Sequence, residues 1–386
     1  MKALVVCLTD LSKDPRVSRQ IKWLTDLGFS VTTLAEGAAQ ESVHHHVCSL
    51  PPSIERTAPE RLRCKIKSGF KLLNGNYEQF YWTRPAIQRC EHLFQTTLQD
   101  SFDLIVANDF NTLPLVLRYK RGAKVLLDAH EYAPEEFSDL WKWRLFFQKY
   151  SFDLCRRTLP QVDAMMTVND GIARRYAEVF GTSLPFVLTN AVPYYDLQPS
   201  EVTSDKIRLI HHGIAAKSRN IDIMFSLFEC LDDRFELDLI MVPGDGKYIE
   251  RMKEKAKRWP QVRCLPPVPM KEIVPTTNQY DMGVYLLPPV NFNYLYGLPN
   301  KLFEFLQARL ALALGPSPEM AKVARHYQCG IVSDKFGPKS LATQLNSLDR
   351  NDIIAMKSQA SYAAKELNAE ANSLIFREAV NKAMNR

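Results

Sequence analysis

No apolar run in this chain approaches the roughly 18–20 residues that a membrane span requires, so an integral membrane class is set aside. Eight cysteines (Cys7, Cys48, Cys64, Cys90, Cys155, Cys230, Cys264 and Cys329) lie scattered, with no C-x-x-C pair and no metal-ligand spacing. In a chain of this length they read as reduced, mostly buried thiols of a cytoplasmic protein. No two aspartates stand at D-x-D spacing and no histidines cluster with metal geometry, which disfavours a metal held by carboxylates or imidazoles. The tract His44-His45-His46 follows "GAAQESV" and reads as loop. G-x-G-x-x-G is missing after the first strand and G-x-x-x-x-G-K-[ST] is missing throughout, so neither a conventional dinucleotide site nor a P-loop is expected. Fixed-period repeats and low-complexity tracts are lacking too. The opening "MKALVVCLTD" has too short an apolar stretch for a signal peptide and reads as a strand.

What is present is an ordinary globular composition, 46% apolar and 24% charged. At 386 residues, two domains are expected. Short apolar runs alternate with helix-period segments almost throughout. In the first half the strands are Ala3–Leu8, Ser30–Ala35, Leu104–Ala107, Ala123–Leu127, Ala164–Val168 and Phe186–Leu188. In the second they are Ile207–Ile210, Leu237–Val242, Val262–Leu265, Met282–Leu287, Ala311–Leu314 and Gly330–Val332. Such alternation means parallel sheets covered by helices, hence two doubly wound α/β domains. The aperiodic, proline-bearing "NAVPYYDLQPSEVTSDK" marks the join. The expected division is residues 1–190, a linker at 191–205, a second domain at 206–365, and a C-terminal helix at 366–386 packing back on the first. Ligands of open parallel sheets bind beyond the C-terminal strand ends. Two such domains facing across a cleft would carry a site on each lip.

The residues just after strands therefore matter most. "TDLSKDPRVSRQ" places Asp14 at an N-cap and Pro15 at the first helical position, so Arg16 falls in a first turn. A cation there is unfavourable unless an anion is near; the alternative is a plain surface arginine. "ANDFNTLPL" contributes Asp109, and "DAHEYAPEE" puts His130 and Glu131 at a strand's end entering a loop, where reactive side chains concentrate. "LIHHGIAAKSRNID" offers Gly213 for close backbone approach, then Lys217 and Arg219 within six residues, a pattern suited to phosphate. In "CLPPVPMKEI" the prolines stiffen a loop around Val268 that could offer its backbone to a planar base. In "YGLPNKLFEFLQA" the residues Tyr296, Pro299, Asn300, Lys301, Leu302 and Glu304 surround a helix start. Its free N–H groups and dipole favour an anion, while Lys301 and Glu304, three apart, share a face. A plain structural helix start would look the same.

Net charge is +6, but unevenly placed. Between Arg61 and Glu91 seven Lys/Arg face two acids, with Phe70, Tyr77, Phe80, Tyr81 and Trp82 among them, and "WKWRLFFQKY" (141–150) is similar in character. Three readings stand: a surface lying on anionic lipid, a nucleic-acid grip, or a solvated helix whose aromatics are core. The absence of any recognition module disfavours nucleic acid.

Taken in order, "DPRVSRQIKWLTDLGFSV", "DAHEYAPEE", "HHGIAAKSRNID" and "YGLPNKLFEFLQARLALALGPSPEM" resemble the family 4 glycosyltransferases of the GT-B fold, over roughly the whole chain. The resemblance implies a retaining, metal-independent transferase that moves a sugar from a nucleotide-diphosphate donor to a glycan or lipid-linked acceptor. In bacteria many such enzymes build surface polysaccharide or lipopolysaccharide at the inner membrane face, with no resident cofactor. It further implies that Glu304 holds the donor ribose, that Gly213 and Arg219 meet the diphosphate, and that His130 lies near the transferred sugar. On this basis His130, Arg219 and Lys301 are the catalytic candidates. Gly213, Lys217, Arg219, Val268, Tyr296, Pro299, Asn300, Lys301, Leu302 and Glu304 form the donor site, and Asp14, Arg16, Asp109, His130 and Glu131 the acceptor site. Tyr296 replaces a glutamate that the family often has eight residues before its ribose-binding one. Ile214 replaces an arginine that often follows the glycine, which leaves Lys301 to supply that charge. Two other readings remain: a sugar-nucleotide 2-epimerase of the same architecture, and a non-catalytic nucleotide-sugar-binding subunit.

Overall fold

The computed structural model describes residues 1–37, 42–51, 57–202, 206–244 and 246–385. They fall into two units: Met1–Thr189 with Asn291–Asn293 and Ser373–Arg386, and Asn190–Val290 with Tyr294–Asn372. Among the described residues no helix is long and apolar enough to cross a membrane.

The first unit is built on seven parallel strands: β1 (Lys2–Asp10), β2 (Ser30–Glu36), β3 (His45–Ser49), β4 (Leu104–Asn108), β5 (Lys124–Asp128), β6 (Ala164–Thr167) and β7 (Phe186–Val187). Their order is β3-β2-β1-β4-β5-β6-β7. Ala3 to Val6 and Leu104 to Ala107 are almost wholly buried, because helices cover both sheet faces and a parallel strand then reads as a continuous apolar run. Helix Pro15–Asp26 starts where the Asp14 carboxylate accepts the Val17 N–H at 3.1 Å, and the chain turns beyond it at Gly28, φ +83°. Helix Asp170–Phe180 begins under an Asn169 cap and ends at Gly181 in the left-handed conformation.

One expectation fails here. His45 and His46 are not loop but belong to β3, which pairs with β2. His45 is buried, its Nε2 2.9 Å from the Thr33 hydroxyl. The tract has no apolar alternation to reveal it; backbone pairing and one polar side-chain contact hold it. His44, by contrast, lies in the turn just before the strand.

The second unit has six parallel strands, β8 (Ile207–Ala215), β9 (Phe235–Pro243), β10 (Val262–Leu265), β11 (Met282–Tyr285), β12 (Ala311–Leu314) and β13 (Gly330–Val332). The order is β10-β9-β8-β11-β12-β13. Strand residues alternate between two cores: Leu209, Leu239, Val284 and Ala313 in one, Ile210, Ile240, Tyr285 and Leu314 in the other. This is the period of two with both faces buried. Helix Asn300–Gln307 sinks Leu302, Phe303, Phe305 and Leu306 into the second core. Gly283 makes that seating possible, since a Cβ there would stand 2.4 Å from the Phe305 ring. β8 runs two residues past Gly213, further than the apolar pattern alone indicates.

In each unit the sheet order reverses once, between β1 and β4 and between β8 and β11. Those two switch points are where open parallel sheets admit ligands.

Candidate functional site

At the switch point of the second unit, the β8 end, the β11 end and the start of helix Asn300–Gln307 meet. Pro299 is the N-cap residue of that helix, so the N–H groups of Asn300 and Lys301 lie ahead of the first intrahelical carbonyl. Gly213 has φ +144°, and a Cβ on it would lie 2.9 Å from the Lys301 ammonium. The close approach that glycine permits is therefore made by the Lys301 side chain. The ammonium also sits 4.2 Å over the Tyr285 ring. Burial first, then the nearby Arg219 guanidinium, pull the Lys301 pKa down to about 7, opposed by Glu304. Burial pushes Glu304 up to about 7, against the pull of Lys301. Its carboxylate stands 3.5 Å from His212 Nε2, and burial with the Lys301 charge lowers His212 to about 3, so that ring is neutral. His211 is fixed by its Nδ1, 2.9 Å from the Val284 carbonyl.

Arg219 ends the short turn Lys217–Arg219, is exposed, and lies over the Tyr294 ring at 5.3 Å. Lys217 is exposed beside it. The half-buried Val268 lies in the loop after β10, Tyr296 is half-buried in a turn, and Asn300 is exposed at the helix start. Leu302 does not face this site: its side chain is core, and its N–H donates to the Pro299 carbonyl at 3.1 Å. The physical reason is helical spacing, which points position 302 at the sheet while 301 and 304 face β8.

At the switch point of the first unit lies a cavity of about 140 Å³ lined by Thr9, Asp14, Arg84, Asn108, Asp109 and His130, among others. Asp14 serves two partners there, capping Val17 and accepting the Thr9 hydroxyl at 2.9 Å. Asp109 holds φ +66° and anchors its N–H on the Asp128 carbonyl. His130 stands 3.8 Å from Asp109 and 3.6 Å from Asp128. Burial alone would lower its pKa, but those two carboxylates overcome it and raise it to about 9. His130 is thus an imidazolium at neutral pH, a donor rather than a base. Glu131 is exposed, and its carbonyl accepts the Tyr176 hydroxyl at 2.8 Å.

Arg16 is neither a surface arginine nor a waiting anion receptor. It is buried and forks onto both Asp128 oxygens at 2.7 Å, with a further donation to the Leu188 carbonyl. The anion its position demands is the protein's own. Asp128, Gln20 and Asn108 are members of this cluster that the strand-end reading overlooks; Asp128 accepts from Gln20 at 2.5 Å. The signal was at hand in "DAHE", where Asp128 closes the strand two residues before His130. Likewise "LIHHG" carried His212, the neighbour of Glu304. Among the described residues no three His, Cys, Asp or Glu side chains are grouped so as to hold a metal ion.

No family model and no curated protein matches the chain. Solved structures do. Sucrose-phosphate synthase from Thermosynechococcus elongatus superposes with a TM-score of 0.74 at 11% identity, over 99% of this chain and 98% of that one. Anabaena HepE in complex with UDP and glucose gives 0.68 at 12% identity, over 99% of each chain. A TarM variant from S. aureus, in complex with fondaparinux, α-GlcNAc-glycerol and UDP, gives 0.68 at 8% identity over all of both chains. The architecture shared with these proteins is the GT-B fold: two parallel-sheet α/β domains in one chain.

Proposed function

We propose that this chain is a glycosyltransferase whose second unit binds a nucleotide-diphosphate sugar and whose first unit binds the acceptor. The observation that carries the reading is the meeting of Lys301, Arg219 and a helix N-terminus beside Gly213 at the β8/β11 switch point. Such a set neutralises a diphosphate and stabilises the charge that grows on its oxygens as the sugar departs. Glu304, one turn along, accepts hydroxyls of the ribose. Structures of this fold that hold UDP, with glucose in one of them, support the choice of ligand.

The finer reading is a retaining, family 4-type transferase that works without a divalent ion. Two cations and the helix tip supply the positive charge directly. Protonated His130, held in place by Asp109 and Asp128, is a hydrogen-bond donor for a sugar oxygen that enters the first unit's cavity. The leaving phosphate then takes the acceptor's proton, so the reaction needs no separate carboxylate nucleophile. A glycan or lipid-linked acceptor of a bacterial surface polysaccharide suits this chemistry. A lipid-linked acceptor would bring the protein to an anionic inner membrane face, which the basic helix Ala58–Leu73 suits.

The test is a panel of nucleotide sugars read by thermal shift, followed by transfer assays with the stabilising donor. A true donor raises the melting temperature by mass action and yields product of retained anomeric configuration. Conversion of the donor alone into an epimer would replace this reading with the epimerase one.

A further inference from the structure

Helix Ala58–Leu73 is amphipathic in the wrong sense for a protein surrounded by water. Leu72 is its one buried residue, whereas Leu62, Ile66, Phe70 and Leu73 are between 51% and 63% exposed. Their spacing of four, four and three residues sets them on one face, so the apolar stripe points outward. Arg61, Arg63, Lys65, Lys67 and Lys71 lie along the same helix with a single carboxylate, Glu60, which is engaged in the N-terminal capping box. A second segment adds to this surface. Leu140, Trp141 and Leu145 are more than half exposed, and Lys142 and Arg144 stand among them. The two segments touch where Phe146 packs on Gly69, 3.5 Å from where a Cβ would stand. Between them opens a groove of about 630 Å³, lined by Phe80, Phe146, Phe147, Lys65, Lys67 and Arg84 among others.

The rest of the basic stretch faces the other way. Phe80, Tyr81, Ile87 and Cys90 are core, so the interleaved aromatics of residues 77–91 are structural and only residues 58–73 present a free face.

We propose that this paired surface docks on an anionic lipid bilayer, with the outward stripe in the acyl boundary, the cations on phosphates, and the groove receiving part of one lipid. The proposal rests on the transferase reading only for its purpose. Charge complementarity selects the occupant: a second copy seated symmetrically would set this five-cation helix against itself, whereas anionic headgroups attract each cation near the surface. An apolar face ringed by cations is the composition of an interfacial helix. Arg84 lines both this groove and the cavity holding His130, so a lipid-borne group entering here arrives at the acceptor site.

The test is vesicle flotation of the full chain with phosphatidylcholine alone and with about one third phosphatidylglycerol. Two variants accompany it: Lys65→Glu with Lys67→Glu, and Leu62→Ser with Ile66→Ser and Phe70→Ser. All five positions are exposed, so the fold is kept. The expected result is flotation on anionic vesicles only, weakened about 30-fold or more by the charge reversals and comparably by the apolar replacements. No flotation, equal flotation on neutral vesicles, or a dimer abolished by the apolar variant would each overturn the proposal. Thermal shift by nucleoside diphosphate, read on the same samples, is expected to be unchanged in both variants. Its loss in the unaltered protein would fell the transferase reading while leaving the docking surface standing.

Discussion

The Lys301 ammonium occupies the space that a side chain on Gly213 would need, 2.9 Å from the position of its Cβ. Any residue but glycine at 213 would push the cation away and would also hold φ +144°, a conformation that L residues rarely adopt. Gly213→Ala is therefore expected to cost about 1–3 kcal/mol of stability and to weaken diphosphate binding at least tenfold. Chemical denaturation and calorimetric titration measure the two effects separately.

Losing either cation removes charge stabilisation while leaving the fold intact. Lys301→Ala and Arg219→Ala should each lower kcat by about 10²–10³ in a transfer assay with the stabilising donor. Near-normal turnover in both would remove them from the mechanism.

Donor capture should depend on pH. Free Lys301 and Glu304 both titrate at about 7. As pH rises through that value the lysine loses the positive charge that faces the diphosphate, whereas the glutamate ionises into a better acceptor of ribose hydroxyls; the loss of charge beside two phosphates is the larger effect. Affinity for an intact nucleotide sugar, whose diphosphate does not titrate there, should therefore fall between pH 6 and pH 8.5, with proton uptake at Lys301 on binding. Glu304→Gln removes the opposing gain and should leave a weaker overall affinity with a steeper fall governed by Lys301 alone. Calorimetry in buffers of differing ionisation enthalpy counts the protons directly.

In the first unit, Asp128 neutralises the buried Arg16 and helps to hold the His130 proton. Asp128→Ala leaves that guanidinium without its charge partner and should cost about 3–5 kcal/mol. The His130 pKa, raised from 6.5 to about 9, contributes stability that is complete below pH 6.5 and lost as pH rises through 9. The stability gap between the parent protein and His130→Gln should shrink from about 3 kcal/mol at pH 6 toward zero above pH 10. Urea denaturation at the two pH values reads it.

Much of this was legible from local pattern. Strand and helix periods revealed both sheets, and a short motif placed Lys301 and Glu304 on one face because helical spacing is a local property. What stayed hidden depended on long-range packing. Arg16 looked like a cation awaiting a ligand because its partner Asp128 stands 112 positions away. Leu302 joined the donor residues by proximity in sequence, although its direction is set by the sheet beneath it. β3 escaped notice because a polar histidine tract carries no period-two signal. The outward stripe of helix Ala58–Leu73 could be told from an inward one only by seeing which face the core covers.

If the second unit captures a diphosphate through Lys301, Arg219 and one helix tip, binding survives removal of divalent ions and depends on the lysine. Calorimetric titration of nucleoside diphosphates in excess EDTA, on the parent protein and on Lys301→Ala, reads both properties at once. One nucleotide is expected to bind without divalent ions and to bind at least tenfold more weakly to the variant. Binding that requires magnesium, or that is indifferent to the loss of Lys301, would contradict it.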